Sequence, residues 1–240
     1  MTSSGFIYVA SNSVGGVKQN NYVKEAIYSA KSLKKISPNA KITLFTDKPI
    51  EEPIFDEIKI VDMSLRCKQN CLLQSPYDKT ILLDTDTYVN HSLDDLFDML
   101  DNYDMCACHC YSRKRNFGIP EYMKIPYAFS EINTGMVAFK KNDNFKKFAE
   151  LWINYYNKYK KVVVWDQPTC RVALWESKVN IYILPLEYNR RHKGSRDKCI
   201  TLKNKGDGRF GSDHLKTRVY HFHGLENMNE TKREETAQEL

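Results

Sequence analysis

The stretch from Ile81 to Asn90, ILLDTDTYVN, runs three aliphatic residues directly into an Asp-x-Asp pair. The apolar run at 80–83 predicts a buried β-strand, and because side chains alternate along a strand, Asp84 and Asp86 point the same way. At the carboxyl end of a parallel strand they would face the crevice in which open α/β sheets bind ligands. Two carboxylates about 4 Å apart repel by about 4 kcal/mol at an effective dielectric of about 20, unless a cation or a proton lies between them.

The residues leave different interpretations of this pair open. Mg²⁺ or Mn²⁺ between the carboxylates would relieve the repulsion, and both ions accept carboxylate and diphosphate oxygens. Alternatively, the stretch resembles the opening motif of haloacid-dehalogenase-like phosphatases, in which Asp84 would be the phosphorylated nucleophile. That family needs a later apolar strand ending in Gly-Asp, whereas the candidate at 206–213, GDGRFGSD, follows the polar TLKN segment. A further interpretation is a helix or turn cap that merely follows a strand.

The first half of the chain alternates between strand and helix patterns. This β-α-β-α order predicts an α/β fold with a mostly parallel sheet and helices on both faces. The second half is more mixed, and 189–214 is predicted to be a Gly-rich, basic loop. Strands are predicted at 6–10, 42–45, 58–61, 80–83, 105–110, 136–140, 181–184 and 218–221, and helices at 22–35, 67–74, 94–100, 142–158 and 167–175.

Length and composition bound the class of protein. The 240 residues, 42% of them hydrophobic, are enough to form one large domain with a sizeable core. In the absence of a repeat or a convincing linker, we predict a single domain over 1–227 and a charged tail over 228–240. The net charge of +6 suits an anionic ligand, but it does not by itself indicate binding to nucleic acid.

The cysteines and the apolar runs bear on the cellular compartment. No apolar run approaches the roughly 20 residues needed to span a bilayer, so no transmembrane segment is predicted. The opening MTSSGFIYVA lacks the basic and apolar regions of a signal peptide. With seven cysteines, an odd count, this predicts a cytoplasmic protein with free thiols, although a fragment of a longer protein would look the same. Cys106, Cys108 and Cys110 lack the paired ligands of a metal site and are predicted to be buried thiols.

Segments along 6–224 resemble, in order and approximate spacing, those of a known enzyme family. They are IYVAS, NNYVKEA, LFTDKP, RCKQNCLLQSPYDKTILLDTDTYVNHSLDDLF, INTGMVAFKK, WDQP, LPLEYN and VYHFHG. Each segment is a weak signal alone, whereas the ordered set is specific. Together they resemble the GT-A glycosyltransferases, most closely the glycogenin-like and bacterial galactosyltransferase-like members of glycosyltransferase family 8.

This resemblance implies a GT-A fold and metal-dependent transfer of a sugar from a nucleotide-sugar to a hydroxyl of a glycan or glycoconjugate. A UDP-sugar is the expected donor, Mn²⁺ or Mg²⁺ the expected cofactor, and retention of the anomeric configuration the expected outcome. No nucleophile is evident, however, and in an inverting enzyme Asp166, Glu131 or Glu187 would act as the base on the acceptor hydroxyl. A non-catalytic module that binds sugar-nucleotides or glycans is a further alternative.

The metal ligands that the resemblance assigns are Asp84, Asp86 and His221. Carboxylates with a neutral imidazole suit Mn²⁺ in particular. His221 could instead be a strand-end histidine without a ligand role, and His223, on the same strand face, is a weaker candidate. A basic residue at the start of the helix before the metal motif would bind the diphosphate. Lys68 is preferred to Arg66 for that role, and the alternative is a solvated helix face.

Other residues correspond to the nucleotide and sugar subsites of the family. Tyr22 would stack on uracil, or else pack in the core, and Thr85 would touch the ribose through its backbone. Gly135 would permit close approach of the backbone to the sugar. Asp166 would be the second essential carboxylate, with a helix N-cap as the alternative. The positions assigned to the base and ribose are Ala10, Ser11 and Tyr22; those assigned to the sugar and acceptor are Asn133, Thr134, Gly135, Asp166 and Gln167, of which Asn133, Asp166 and Gln167 are the catalytic candidates.

The sequence departs from the family after the terminal His-x-x-Gly. The family usually continues with Lys-Pro-Trp, whose Lys helps to hold the diphosphate, whereas Leu225 and Glu226 stand here. Another cation would have to serve, and a basic cluster within NRRHKGSRDK is available. That cluster could instead contact an acidic acceptor or a membrane surface, or simply be an exposed loop. Its members are Arg190, Arg191, His192, Lys193, Arg196 and Lys198.

Overall fold

The computed structural model describes residues 2–11, 21–63, 68–110, 118–163, 165–191, 217–221 and 231–232. Its strands are β1 (Ser4–Val9), β2 (Ile42–Thr46), β3 (Glu57–Ile60), β4 (Lys79–Leu83), β5 (Thr87–Val89), β6 (Met105–His109), β7 (Ile132–Lys140), β8 (Ile181–Ile183), β9 (Arg190–Arg191) and β10 (Val219–His221). Its helices are α1 (Tyr22–Ile36), α2 (Lys68–Leu72), α3 (Asp95–Asn102), α4 (Pro120–Lys124), α5 (Asp143–Tyr159) and α6 (Gln167–Ser177), with a 3₁₀ turn at Leu186–Tyr188. The strands and helices predicted for the first half are therefore present, with ends shifted by at most two residues.

The main sheet of the described residues has seven strands in the order β3-β2-β1-β4-β7-β6-β8. Strands β3, β2, β1 and β4 pair in parallel, as do β6 and β8. Strand β7 runs antiparallel to both β4 and β6, with Leu83 opposite Met136. The predicted mostly parallel sheet is confirmed, and its reversed strand lies directly beside β4.

Strand β4 lies between two hydrophobic cores because its side chains alternate in direction. Ile81 and Leu83 belong to the core that also contains residues of α1 and α3, whereas Leu82 belongs to the core with α5 and α6. All three side chains are at most 1% exposed. Burying each one stabilises the fold by about 1.5–3 kcal/mol. The predicted helices on both faces are confirmed, and they explain why the run before Asp84 is apolar without alternation.

The start of β7 is the main difference from the strands predicted in the second half. A strand was predicted at 136–140, whereas β7 begins at Ile132. After Ile132 the strand continues with two polar but buried residues, Asn133 and Thr134, which are 2% and 3% exposed. A prediction from hydrophobic pattern underestimates the length of a strand when some of its buried side chains are polar and hydrogen-bonded to one another. The short helix α4 was also not predicted.

A second, smaller sheet joins segments that are far apart in sequence. Strand β10 pairs antiparallel with β5 and parallel with β9. Strand β9 corrects the prediction of a continuous loop at 189–214, and Arg190 is 1% exposed instead of lying on an exposed loop. Its guanidinium donates to Thr217 Oγ1 at 3.2 Å and lies over the ring of Tyr220. The members of the basic cluster at 192–198 lie outside the described residues.

The described cysteines carry free, buried thiols, which confirms the prediction made for Cys106, Cys108 and Cys110. Burial raises the pKa of the Cys106 thiol to about 12. Of the helices in the described ranges, none combines the length and the hydropathy needed to cross a bilayer. The predicted domain boundary at 227 lies outside the described residues, as does most of the predicted tail, so both stay predictions.

Candidate functional site

Asp84, Asp86 and His221 converge at the carboxyl end of β4. The two aspartates stand between β4 and β5, and the pairing of β5 with β10 places His221 opposite Thr87. His221 Nε2 lies 3.1 Å from Asp86 Oδ1 and 3.8 Å from Asp84 Oδ2. One ligand atom from each of the three residues lies within 4.8 Å of the other two. The second sheet therefore brings together the three side chains that the sequence assigned as metal ligands.

The donor set of this cluster fits Mn²⁺ or Mg²⁺. Ligands about 2.1 Å from an octahedral ion lie about 3 Å apart when adjacent and about 4.2 Å apart when opposite. The distances of 3.1 Å and 3.8 Å from His221 Nε2 fall within this interval. Two carboxylates and one neutral imidazole suit Mn²⁺ well. The side chain of Asp84 is 29% exposed and that of His221 only 6%, so the cluster is open to solvent on the Asp84 side.

The hydrogen bonds of His221 favour the tautomer that a metal ligand needs. Its Nδ1 lies 3.2 Å from Asn189 Oδ1. Asn189 Nδ2 donates to Asn133 Oδ1 at 3.0 Å, so its own Oδ1 is the acceptor that faces the imidazole. The proton is thereby assigned to Nδ1, and the lone pair of Nε2 points at the carboxylates. Asn189 is fully buried and orients His221 as an outer-shell partner would.

Gly135 lies directly against the His221 ring. A Cβ at this position would lie 2.2 Å from His221 Cε1 and 2.6 Å from Nδ1. The Gly135 N–H donates to Asn133 Oδ1 at 2.9 Å, and its carbonyl accepts from the Asp84 N–H at 2.7 Å. The close approach at Gly135 is therefore to His221, a candidate metal ligand, whereas the predicted approach to the sugar stays a prediction.

Gly135→Ala is expected to lower the affinity for Mn²⁺ by at least about tenfold, the effect of disturbing an outer-shell partner. The added Cβ forces the His221 ring or β7 to move. Isothermal titration calorimetry with Mn²⁺ measures the effect. The matched control is Gly5→Ala, near the start of β1 and at the edge of the sheet away from the site. A Cβ there would lie 2.5 Å from the Tyr77 ring. A folded Gly135→Ala chain that binds Mn²⁺ as tightly as Gly5→Ala would contradict the proposed ligand role of His221.

Lys68 forms a second charged group beside the cluster. Its Nζ donates to Asp84 Oδ1 at 3.0 Å and to the Thr134 carbonyl at 3.0 Å, and it lies 3.5 Å from Asp166 Oδ2. Burial disfavours the ammonium, but Asp166 and Asp84 outweigh that effect, so the pKa of Lys68 is raised. The side chain is 16% exposed, so it does not lie on a solvated helix face.

Asp166 precedes α6, but its carboxylate does not cap that helix. It accepts instead from Thr134 Oγ1 at 3.3 Å and faces Lys68. Its main-chain carbonyl accepts hydrogen bonds from Trp152 Nε1 at 3.2 Å and from Thr169 Oγ1 at 2.8 Å. This orientation favours a role for the carboxylate in the site over the N-cap alternative.

The residues assigned to the nucleotide lie at the same edge of the sheet. Ala10 and Ser11 directly follow β1, which neighbours β4. Ala10 is 1% exposed, and Ser11 Oγ donates to Asp47 Oδ2 at 3.1 Å. Tyr22 begins α1 and packs, partly buried, against the core. That position is compatible with both interpretations of Tyr22, stacking and core packing.

The remaining candidates take part in other contacts. Gln167 Nε2 donates to the Ile132 carbonyl at 3.2 Å, which anchors the amide to the start of β7. Glu131 accepts from the Tyr122 hydroxyl at 2.7 Å and is 9% exposed. Glu187 lies in the 3₁₀ turn. Arg66 and His223 lie outside the described residues.

Sequence reasoning assigned no role to two buried residues of this region, Asn189 and Glu25. Asn189 ends the LPLEYN segment that carried part of the resemblance, so its place in that segment was the available signal. Glu25 is 1% exposed on α1 and accepts from Thr85 Oγ1 at 2.8 Å. An isolated glutamate in a helix pattern carries no signal of this kind.

Neither a protein-family model nor a curated protein matches this sequence. Solved structures do: galactosyltransferase LgtC in complex with donor and acceptor sugar analogues aligns with a TM-score of 0.57 and 16% identity, over 98% of this chain and 96% of that one. Glycosyltransferase GlyE of Streptococcus pneumoniae TIGR4 aligns with a TM-score of 0.58 and 17% identity, over 95% of this chain and 56% of that one. Mouse xyloside xylosyltransferase 1 aligns with a TM-score of 0.57 and 11% identity, over 92% of this chain and 98% of that one. Likeness at these identities shows the fold, so the predicted GT-A fold is confirmed.

Proposed function

We propose that this chain, which has the GT-A fold, is a metal-dependent glycosyltransferase that moves a sugar from a nucleotide-sugar to a hydroxyl of a glycan or glycoconjugate. The observation that carries the proposal is the convergence of Asp84, Asp86 and His221 at the carboxyl edge of the sheet, with His221 Nε2 3.1 Å from Asp86 Oδ1. A UDP-sugar is the proposed donor, as the resemblance to glycosyltransferase family 8 implies.

The charges of the site suit the departure of a nucleoside diphosphate. Mn²⁺ or Mg²⁺, held by the two aspartates and His221, would neutralise the negative charge that the leaving diphosphate gains. Lys68 adds a positive charge that three acceptors hold in place. We propose that the positive charge of Lys68 stabilises the nearby diphosphate in place of the Lys that the family has after its terminal motif, where Leu225 stands here.

We propose that Asp166 is the carboxylate that acts on the donor sugar. It is buried beside Lys68 and Thr134, whereas the carboxylate of Glu131 is hydrogen-bonded to Tyr122. We propose that Asp166 orients the donor sugar through a hydroxyl and that Gln167 and Asn133 line the same pocket. Retention of configuration is proposed from the resemblance; in an inverting reaction Asp166 would instead accept the proton of the acceptor hydroxyl.

The alternatives make different demands on the same residues. In a haloacid-dehalogenase-like phosphatase Asp84 would attack a phosphoryl group, and no nucleoside would be needed. Here Asp86 Oδ1 lies 3.1 Å from His221 Nε2, which supports the metal site instead. A binding module would retain affinity for the nucleotide without turnover.

We also propose that the protein is located in the cytoplasm. The free thiols of the described cysteines support this location, because disulfides are rare in that compartment.

A thermal-shift panel of UDP, GDP and CDP, each with and without Mn²⁺, tests the proposal. UDP at about 100 times its Kd is expected to stabilise the folded chain by about 2.7 kcal/mol. For a chain of this size, that raises Tm by about 5–10 °C. The shift should require Mn²⁺ and should be smaller with GDP and CDP. If no nucleotide raises Tm and the protein hydrolyses p-nitrophenyl phosphate, the glycosyltransferase proposal is wrong.

A further inference from the structure

The face of α1 that meets the metal-motif segment is polar, although it is buried. Glu25, Ser29 and Ser32 are spaced four and three residues apart, so they lie along one stripe of the helix. They are 1%, 0% and 5% exposed. A buried polar group destabilises the fold unless it is hydrogen-bonded. These side chains therefore need hydrogen-bond partners, and the positions of those partners indicate the role of the stripe.

The partners are every second residue of the segment that carries the metal ligands. Thr85 Oγ1 donates to Glu25 Oε2 at 2.8 Å, Ser29 Oγ lies 2.8 Å from Thr87 Oγ1, and the Val89 N–H donates to Ser32 Oγ at 2.9 Å. Residues four or three apart on a helix rise by about 6 or 4.5 Å, and alternate strand residues by about 6.6 Å. The two spacings match closely enough for each helix residue to meet its own strand residue.

The central part of this contact is a directed chain of hydroxyls that ends on a metal ligand. Thr87 Oγ1 lies 2.7 Å from the Asp84 carbonyl, which can only accept, so Thr87 donates to it. Ser29 must then donate to Thr87, and the Tyr8 hydroxyl, 2.9 Å from Ser29 Oγ, donates to Ser29. Burial raises the pKa of Tyr8, so the hydroxyl keeps the proton that it donates.

We propose that Glu25, Ser29 and Ser32 are positioning residues, which form a buried polar stripe on α1 that holds the Asp84–Val89 segment in the geometry required for metal binding. Thr85 lies between the two ligand carboxylates and is tied to Glu25, and Thr87 holds the carbonyl of Asp84. The stripe thus fixes the backbone on both sides of Asp86 relative to β1 and α1. This inference rests on the proposed metal-dependent function, because it assigns a purpose to residues that touch neither the ion nor the substrate.

Thr87→Val and Thr87→Ser separate the role of the hydroxyl from that of the side-chain volume. Valine keeps the shape of threonine but removes the hydroxyl, and serine keeps the hydroxyl but removes a methyl group. Thr87→Val is expected to weaken Mn²⁺ binding by at least about tenfold, the effect of losing an outer-shell hydrogen bond. Thr87→Ser keeps the hydroxyl that donates to the Asp84 carbonyl, so its loss of Mn²⁺ affinity is expected to stay clearly below about tenfold. Isothermal titration calorimetry of the full chain with Mn²⁺ provides the readout without any turnover.

Ser75→Ala is the matched control. Ser75 is 2% exposed, and its hydroxyl lies 2.7 Å from that of Thr80, at the end of β4 away from the site. Its loss should lower Tm but leave the affinity for Mn²⁺ unchanged. Ser32→Ala tests the helix side of the contact, because it removes the bond to the Val89 N–H, and it should weaken Mn²⁺ binding several-fold. If Thr87→Val does not fold, Ser32→Ala alone decides the inference.

Each outcome decides the inference. Weaker Mn²⁺ binding in both Thr87→Val and Ser32→Ala, together with normal binding in Thr87→Ser and Ser75→Ala, supports it. Wild-type affinity in a folded Thr87→Val or Ser32→Ala chain, or equal losses in both Thr87 variants, overturns it while the proposed function stands. A wild-type chain that binds neither Mn²⁺ nor Mg²⁺ overturns the proposed function, and the inference with it.

Discussion

Asp86→Ala is expected to abolish Mn²⁺-dependent nucleotide binding and to lower the release of UDP from a UDP-sugar by about 10³-fold, the effect of removing a strong transition-state contact. Asp86 Oδ1 lies 3.1 Å from His221 Nε2, so the substitution removes the proposed ligand atom that lies beside the imidazole. The affinity for Mn²⁺ should fall by more than about 100-fold, because a lost ligand outweighs a lost outer-shell partner. Calorimetric titration with Mn²⁺ and a UDP-release assay measure the two effects.

The control for this variant is Asp98→Ala, which removes an exposed carboxylate of α3 and is expected to change neither quantity. An Asp86→Ala chain that still binds Mn²⁺ and UDP like Asp98→Ala would contradict the assignment of the metal ligands. Under the phosphatase alternative, p-nitrophenyl phosphate hydrolysis would be lost in Asp84→Asn, and UDP would bind neither variant nor the wild-type chain.

Asp166→Asn is expected to lower kcat by about 10²-fold if the carboxylate only orients the donor sugar, and by up to about 10⁴-fold if it acts as a base. The affinity for Mn²⁺ should fall by less than the roughly tenfold that loss of an outer-shell partner causes. The carboxylate lies 3.5 Å from Lys68 Nζ and accepts from Thr134, but it is not part of the metal cluster. The amide keeps the shape of the side chain and removes its charge. Steady-state kinetics with a UDP-sugar, combined with Mn²⁺ titration, separate the two effects.

A second buried carboxylate, Asp104, provides the matched control. It accepts from Asn142 Nδ2 at 2.6 Å, Asn144 Nδ2 at 3.1 Å and the Asn180 N–H at 3.1 Å. Despite burial, these hydrogen bonds lower the pKa of Asp104, so Asp104→Asn should reduce stability but not turnover. If Asp166→Asn matched Asp104→Asn in losing only stability, Asp166 would be a structural residue of α6 and not part of the catalytic machinery.

Local patterns predicted the fold of the first half well because its elements follow the hydrophobic periodicities of helices and strands. The apolar run at 80–83 gave β4, whose side chains are buried on both faces of the sheet. The short strands of the second sheet carry a weaker hydrophobic pattern, and β5 and β9 were not predicted. A two-residue strand such as Arg190–Arg191 is defined by main-chain pairing with β10, which no local pattern records.

The candidate site was predictable where residue type and order carried the signal. The resemblance named Asp84, Asp86 and His221, and the structure brings them together. Asn189 and Glu25 were not given roles because their importance comes from contacts between distant segments. A buried asparagine that sets a tautomer, or a glutamate that holds a threonine, is chemically ordinary until the fold places its partner beside it.

The most direct test of the central claim is the release of UDP from a panel of UDP-sugars by the full chain, measured with Mn²⁺, with Mg²⁺ and with EDTA. We predict that at least one UDP-sugar yields UDP in the presence of Mn²⁺, that EDTA stops the release, and that Asp86→Ala lowers it by about 10³-fold. Release that persists in EDTA, or no release from any UDP-sugar with either metal, would contradict the account of this site as a metal-dependent glycosyltransferase centre.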